Sequence, residues 1–280
     1  MPYVVPDVLT LARQMNGEPE FHLEEDLWGE AGASVWGDAA TIIPWNLYEF
    51  YGNPALLKEQ YQNMKQWTDF IIHMDETFCQ GKRLWTCGFH FGDWLSLDAE
   101  GEDNREGGTD KHLVASVYYM NSARLTAKAA EILGKEEERQ YYQQIAGEVR
   151  EAVRSQFMAE DGSLKVNTQT AYVLGIHFQV FNPDEMEQAA RRLSELLEKN
   201  QDHLLTGFVG TGYLCQTLSQ AGLTKKAYTL LLNEDYPGWL YEVNLGATTI
   251  WERWNSLLPD GTISSTGMNS LNHYAYGAVA

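Results

Sequence analysis

A chain of 280 residues with 39 Asp and Glu against 20 Lys and Arg has a formal net charge of −19. With 44% hydrophobic and 12% aromatic residues, it is expected to fold as a globular protein with a sizeable core. The acidic balance argues against the basic surface that nucleic acids and anionic membranes require, whereas it is compatible with a neutral ligand. Nine Trp in an acidic chain weakly favour a sugar as that ligand.

The three cysteines, Cys79, Cys87 and Cys215, show no metal-ligand spacing, and their odd number argues against a disulfide framework. Cys79 and Cys87 are near enough to bridge a loop, but free thiols in a reducing compartment are the favoured interpretation. We expect no metal and no cofactor. The start of the chain lacks the basic and apolar regions of a signal peptide, and the uncharged run 204–224 is too polar to cross a membrane. The predicted location is cytoplasmic, with secretion of a longer parent protein left open.

Helical periodicity dominates the chain, and sustained alternation of apolar and polar residues, the sign of strands, is absent. Rather apolar helices are each followed by a short break and a charged amphipathic helix. The apolar members cover about 38–52, 110–133, 168–181 and 204–220. Their amphipathic partners cover 54–76, 135–157, 184–199 and 224–233, and further helix-like pieces lie near 240–256 and 269–280.

Alternating helices of these two kinds form αα-hairpins when the breaks between them are short. A ring of such hairpins, with apolar helices inside and charged ones outside, is an α/α toroid. The sequence therefore predicts an all-α fold, with residues 1–280 in a single domain. One long connection, about 77–109, interrupts the pattern. Because long loops on compact domains are usually functional, we expect it to line one mouth of the ring.

Four segments combine a carboxylate or an imidazole with aromatic residues and Gly. They supply the candidate ligand-contacting residues Trp36 and Asp38, Asp93 and Trp94, Trp251 and Glu252, and His273. Trp faces stack on the C–H faces of sugar rings while carboxylates and imidazoles bind hydroxyls, and glycosidases tune their carboxyl groups by such surroundings. The segments thus indicate a carbohydrate site. No nucleophile elbow, phosphate loop, dinucleotide motif or zinc motif competes.

Each segment also has a purely structural interpretation. Asp38 is in position to cap the helix that follows it, and Asp93 could close an Asx turn. Glu252 could form an ion pair with Arg253, and His273 could be a hydrogen-bonded core residue. The residues themselves leave both interpretations open.

Five strings, in order along nearly the whole chain, resemble the catalytic (α/α)6 domain of bacterial α-L-rhamnosidases, glycoside hydrolase family 78. The strings are WGDAATIIPWNLYEFYGN, FGDWL, TGFVGTGYL, GWLYEVNLGATTIWERWNS and SLNHYAYGAV. GATTIWERW followed about twenty residues later by Asn-His is the most specific of them. The resemblance implies hydrolysis of a terminal α-L-rhamnosyl group with inversion.

The resemblance also implies roles for single residues. Glu252, the Glu of the ATTxWExW motif, corresponds to the general base. The implied rhamnose site contains Trp36, Trp94 and His273, and Trp251, which directly precedes Glu252, is a further candidate to bind the sugar. Asp38 and Asp93 either contact the sugar or shape the loops that hold the first two Trp residues.

The sequence departs from the family at its general acid, a Glu in an Asp-Glu-Arg-x-Gly-Trp segment upstream of the part resembling PYVVPDV. No Glu-Arg-x-Gly-Trp string occurs here. Of the acidic residues before the VWGD segment, Glu24, Glu25, Asp26 and Glu30 remain as substitutes. We therefore expect an incomplete toroid, with about nine of twelve helices, whose isolated chain is weakly active or inactive. The seam left by absent helices is expected to favour a homodimer.

Two other classes of function stay open. One is a non-catalytic rhamnose- or carbohydrate-binding or scaffold fragment. The other is a different α/α-toroid glycosidase or lyase, but such enzymes act on acidic sugars, and the motif segments offer mainly Arg105 and Arg253 to bind them. The expected partner is a rhamnosylated small molecule or oligosaccharide, with a role in carbohydrate metabolism, and neither a nucleic acid nor a membrane.

Overall fold

The structure, a computed structural model, describes residues 32–99 and 105–277. Within these ranges the chain forms nine α-helices and one 3-10 turn, and no β-strand beyond two isolated bridges. Its contacts group into two compact units. The described part of the first unit is residues 32–91 and 111–156, and that of the second is residues 92–99, 105–110 and 157–277.

The first unit is built from four helices. They are α1 (Ala39–Tyr51), α2 (Pro54–Phe78), α3 (Lys111–Ile132) and α4 (Glu136–Phe157, whose last residue belongs to the second unit). All four confirm the helices predicted near 38–52, 54–76, 110–133 and 135–157. The alternation of burial is also confirmed, because most of α3 is buried whereas α4 is exposed along one side.

Local chemistry explains where α2 begins and how it packs. Pro54 occupies the first helical position, and the Asn53 side chain accepts a hydrogen bond from the backbone N–H of Ala55 at 2.9 Å. The helix then buries an apolar face against α3. The shared core consists of Leu57, Tyr61, Met64, Leu125, Ala129 and Ala130.

The second unit contains five shorter helices and the 3-10 turn Ala275–Gly277. The helices are α5 (Gln169–His177), α6 (Met186–Lys199), α7 (Phe208–Gln220), α8 (Thr224–Leu231) and α9 (Trp239–Asn244). Helix α7 packs against α5, α8 and the 3-10 turn, and α5 packs against α6. Helix α7 is therefore the centre of this unit.

The helix-like pieces predicted near 240–256 and 269–280 are largely wrong. Helix α9 ends at Asn244, and Gly246 follows with a φ of +88°, a left-handed conformation that stops the helix. Residues 245–256 form turns, and one turn of 3-10 helix is all that forms over 269–277. Residues 278–280 lie outside the described part. The segment that carries the most specific motif is thus a loop.

The expectation that Cys79 and Cys87 are free thiols is also wrong. Their sulfurs form a disulfide between Cα atoms 5.5 Å apart, and Cys215 is a free cysteine. Because disulfides are rare in reducing compartments, the main ground for a cytoplasmic location is removed. Separately, none of the helices within the described ranges is long and apolar enough to cross a membrane.

We predict that Cys87→Ser lowers the free energy of unfolding by about 2–3 kcal/mol, because the bridge closes a short loop and restricts the unfolded chain. Urea denaturation without reductant measures the loss. The control is Cys215→Ser, which leaves the disulfide in place and is expected to cost under about 1 kcal/mol. Identical unfolding midpoints for the wild type with and without reductant would contradict the disulfide.

Candidate active site

In the first unit, Trp36 lies on the surface with 42% of its area exposed. Its ring centroid is 4.4 Å from that of Phe91, at an interplanar angle of 38°. Phe91 in turn contacts the edge of Phe89, with centroids 4.8 Å apart. Trp36 thus presents an exposed ring, in contact with the half-buried Phe91, of the kind that stacks on an apolar ligand face.

Asp38, two residues later, is fully buried. Its Oδ1 accepts hydrogen bonds from Trp67 Nε1 at 2.9 Å and from Ser122 Oγ at 2.5 Å. The side chain makes no capping bond to α1, so the predicted capping role is wrong. Burial raises the pKa of Asp38 to about 7, against the lowering effect of its two donors. The residue ties the start of α1, and with it the Trp36 segment, to α2 and α3.

In the second unit, Asp93 is fully buried at the N-terminus of α7. Its carboxylate accepts hydrogen bonds from the backbone N–H groups of Gly207 at 2.8 Å, Val209 at 2.9 Å and Gly210 at 3.0 Å, and from the Thr170 hydroxyl. These partners are far away in sequence, so the predicted Asx turn is wrong. Burial raises the pKa of Asp93 to about 6, and the hydrogen bonds from Thr170, Gly207 and Gly210 limit this rise.

The residue that precedes α7 has no side chain to cap the helix, and Asp93 takes over that function. A Cβ on Gly207 would lie 2.4 Å from the carbonyl oxygens of Asp93 and Trp94, so only Gly permits this close approach. The carbonyl of Trp94 also accepts the N–H of Phe208 at 2.9 Å. Trp94 is 8% exposed and therefore held tightly against the start of the helix.

His273 is half-buried and lies on Phe208, the first residue of α7. The two rings are stacked, with centroids 5.0 Å apart and an interplanar angle of 26°. The Nδ1 of His273 accepts the backbone N–H of Ala275 at 3.3 Å. This bond makes Nδ1 the acceptor, so Nε2 carries the proton in the neutral ring.

Glu252 is half-buried in the loop that follows α9. Its backbone N–H donates to the Ser270 carbonyl at 2.8 Å, and the Ser270 N–H donates to Glu252 Oε2 at 3.0 Å. Two residues before Glu252, the carbonyl of Ile250 accepts the N–H of His273 at 2.8 Å. The loop of Glu252 and the segment of His273 thus run side by side. The predicted ion pair with Arg253 does not form in the described part of the chain.

The tryptophans that flank Glu252 are core residues. Trp251 is 2% and Trp254 is 1% exposed. Trp254 stacks on Tyr276 with centroids 4.3 Å apart and meets Trp239 edge-on at 5.2 Å. Trp251 offers no ring face to solvent here, and the pair anchors the loop.

Two residues of this region were missed by sequence reasoning. Phe208 stacks on His273, and the one feature of the sequence that pointed to Phe208 was its place in the string TGFVGTGYL. Glu242 is 1% exposed in α9, and burial raises its pKa to about 8. Its signal was a single carboxylate inside the apolar string GWLYEV. Such complete burial keeps Glu242 from direct contact with a ligand.

The candidates therefore divide between the units. Trp36 and Asp38 belong to the first. The second contains Asp93, Trp94, Trp251, Glu252 and His273. Asp93 and Trp94 are held at the start of α7, and the other three lie in the two hydrogen-bonded segments near residues 250 and 270. Glu24, Glu25, Asp26 and Glu30 lie outside the described residues. Within the described ranges, no three His, Cys, Asp or Glu side chains are grouped so as to hold a metal ion.

We predict that Asp93→Ala lowers the free energy of unfolding by about 3–5 kcal/mol, because it leaves three buried N–H groups and one hydroxyl without an acceptor. Asp184→Ala, at an exposed Asp of the same unit, is the control and is expected to change stability by under about 0.5 kcal/mol. Both are measured by urea denaturation. Equal stability of the two variants would contradict the assigned role of Asp93.

Comparison with known proteins places this geometry in a family. The profile described as the bacterial alpha-L-rhamnosidase 6 hairpin glycosidase domain matches residues 1–280. An alpha-L-rhamnosidase of Formosa agariphila is 38% identical over 289 residues, which cover 100% of this chain and 28% of that protein.

Two solved structures are also similar. The native α-L-rhamnosidase from Aspergillus terreus has a TM-score of 0.84 and 35% identity, over 90% of this chain and 29% of that one. The α-L-rhamnosidase of Streptomyces avermitilis, solved as a complex with L-rhamnose, has a TM-score of 0.82 and 32% identity, over 97% and 26%.

The chain spans less than a third of the length of these relatives. The all-α, (α/α)6 fold class that the sequence predicts is confirmed, as is the resemblance to the α-L-rhamnosidases. By the match along its whole length, the chain belongs to the bacterial α-L-rhamnosidase six-hairpin glycosidase family.

Proposed function

We propose that this chain carries the water-activating part of an α-L-rhamnosidase site, with Glu252 as the general base of an inverting hydrolysis. The observation that carries the proposal is the pairing of Glu252 with Ser270, which fixes both the backbone and the carboxylate of Glu252. Oε1 has no hydrogen-bond partner among the described residues. A half-buried carboxylate with one oxygen held and the other open is suited to accept a proton from water.

The reaction needs no covalent intermediate. A water oxygen attacks the anomeric carbon on the face opposite the leaving group, and its proton passes to Glu252 as the bond to the leaving group breaks. The product is L-rhamnose in the β configuration. The base must be ionised to accept this proton.

L-Rhamnose is proposed as the sugar because the Streptomyces avermitilis relative was solved with it. Within the second unit, His273 supplies an Nε2–H donor for a hydroxyl of this sugar. Stacking of the 6-deoxy sugar on the exposed Trp36 ring, in the first unit, stays a prediction from the family resemblance. Trp94 and Trp251, nearly buried, shape the walls of the site. Asp38 and Asp93 act indirectly, since both carboxyl groups are buried among internal partners.

The general acid is the part for which the described residues offer no candidate. Glu242 is too deeply buried, and Glu-Arg-x-Gly-Trp does not occur in the sequence. Substrates whose leaving group must be protonated are therefore expected to react about 10²–10⁴-fold more slowly than with a complete acid–base pair. The same feature favours the second candidate function, a rhamnose-binding fragment without catalysis.

The homodimer and the cytoplasmic location stay predictions. Exposed apolar side chains, among them Phe50, Tyr51, Leu232 and Val243, are compatible with association of two copies. The disulfide between Cys79 and Cys87 favours an oxidising compartment instead of the cytoplasm.

We predict that the chain releases fluoride from α-L-rhamnosyl fluoride at least about 10²-fold faster than Glu252→Gln does. Fluoride departs with little help from an acid, so this substrate tests the base alone. Water supplies the hydroxyl of the product, Glu252 takes its proton, and a fluoride electrode measures the rate.

The matched control is Glu234→Gln, which removes one exposed carboxylate of the same unit and is expected to keep the wild-type rate. Titration with L-rhamnose should give a Kd for Glu252→Gln within about threefold of the wild type, since the general base contributes little to ground-state binding. Equal fluoride release by the wild type and Glu252→Gln would overturn the assignment. Rhamnose binding without turnover in any variant would favour the binding fragment.

A further inference from the structure

Glu242 is a buried carboxyl group that the proposed mechanism does not use. Its side chain lies in α9 and is 1% exposed. Oε2 accepts the backbone N–H of Trp251 at 3.3 Å, whereas Oε1 has no hydrogen-bond partner in the described structure. A carboxyl group buried with so few partners is costly and calls for an explanation.

Glu242 fastens both ends of the loop that leads to Glu252. Its backbone carbonyl accepts the N–H groups of Leu245 at 3.1 Å and Ala247 at 3.0 Å, where the loop begins. Its side chain accepts the N–H of Trp251, where the loop ends. Glu242 thus binds both ends of the loop 245–251, and Glu252 directly follows this loop.

Other bonds hold the two residues that flank Trp251. Glu252 donates its N–H to the Ser270 carbonyl and accepts the Ser270 N–H at its carboxylate, and the Ile250 carbonyl accepts the N–H of His273, so that these bonds attach the loop to the 270–273 segment. Trp251 therefore lies between the bonded residues Ile250 and Glu252, and its own N–H is held by a buried titratable side chain from α9. A shift at Trp251 would move the carboxylate of Glu252 directly.

We infer that Glu242 is a positioning residue for Glu252, acting through its hydrogen bond to the backbone N–H of Trp251. This inference rests on the proposed function of Glu252. Catalytic groups lose rate steeply when displaced, and a misplacement of about 1 Å can cost on the order of 10²-fold. A residue that fixes the adjacent peptide group is therefore expected to affect kcat more than KM.

The surroundings explain why the uncharged form is the working one. Burial raises the pKa of Glu242 to about 8, and the Trp251 N–H lowers it to a lesser degree. Tyr276, from the 3-10 turn, faces Glu242 electrostatically, but burial raises the pKa of Tyr276 well above its ordinary value and keeps it neutral. Arg253 interacts with Tyr276, Arg105, Glu252 and Tyr236. Among the described residues, Glu242 thus has no cation to balance a charge.

The sign of the pH dependence follows. Below about pH 8 Glu242 is neutral and accepts the Trp251 N–H without a buried charge. Above that pH it ionises, and an unpaired buried carboxylate is relieved by opening the loop to water. The position of Glu252 is then lost.

The test is the pH profile of fluoride release from α-L-rhamnosyl fluoride. Because this substrate needs no general acid, its rate does not fall at alkaline pH through deprotonation of such an acid. The wild type is expected to lose roughly tenfold in kcat between pH 6 and pH 9, because about one tenth of Glu242 is still neutral one unit above its pKa. Glu242→Gln keeps an acceptor that cannot ionise. Its kcat should lie within about threefold of the wild type at pH 6 and stay level to pH 9.

Glu242→Leu removes the acceptor and leaves the Trp251 N–H unpaired. We expect a loss of about 10–100-fold in kcat at pH 6 with KM within about threefold. Hydrogen exchange measured by mass spectrometry gives a second readout that needs no turnover. At pH 7 the Trp251 amide should exchange faster in Glu242→Leu and at the wild-type rate in Glu242→Gln.

Glu234→Gln, at an exposed position just before α9, removes a carboxylate without touching the loop and should reproduce the wild-type profile. The inference is overturned if Glu242→Gln shows the same alkaline loss as the wild type. It is also overturned if Glu242→Leu keeps both kcat and protection of Trp251. If Glu252→Gln keeps the wild-type rate, the proposed function fails instead, and hydrogen exchange alone decides on Glu242.

Discussion

The buried carboxylate of Asp93 at the N-terminus of α7 is the interaction on which the second unit depends. The carboxylate accepts three backbone N–H groups that have no partner within the helix. At this end of the helix, the helix dipole also favours a negative charge. Gly207, at the cap position, permits the approach because it has no Cβ. Without this carboxylate, the start of the central helix would carry buried donors with no acceptor.

The same interaction positions the candidate site. The chain that brings in Asp93 continues to Trp94, whose carbonyl binds the N–H of Phe208. Phe208 carries His273 on its ring, and the segment of His273 pairs with the loop of Glu252. A structural carboxylate is in this way connected, through packed rings and backbone bonds, to the carboxylate proposed as the base.

The helices with clear periodicity could be predicted from the sequence, because alternation between buried and half-buried helices leaves a local signal. The conformation of residues 245–256 could not be predicted in this way. Trp251 and Trp254 have helical spacing, whereas the β-branched run Thr248-Thr249-Ile250 disfavours a helix. The loop also depends on a hydrogen bond to the distant Ser270. The function of Glu252 could be proposed only through the motif it shares with a family.

Other features depend on contacts that the sequence does not display. The partners of Asp93 at the start of α7 are 114 to 117 residues away, so the sequence alone leaves Asp93 open to both a local turn and a ligand-facing role. The pairing of Cys79 with Cys87 depends on the loop between them, which no spacing rule specifies. Glu242 was overlooked because a carboxylate among apolar residues is visible in the sequence, whereas its hydrogen bond to Trp251 is not.

Glu252 is proposed to activate the water that attacks one face of the sugar. Glu252→Ala, supplied with azide and α-L-rhamnosyl fluoride, tests this role most directly, because azide needs no base and fits the space that the side chain leaves. Azide attacks the anomeric carbon and fluoride departs, and NMR spectroscopy identifies the product. We expect azide to restore turnover and to yield β-L-rhamnosyl azide. A failure of azide to accelerate the reaction, or formation of the α-azide, would contradict this role.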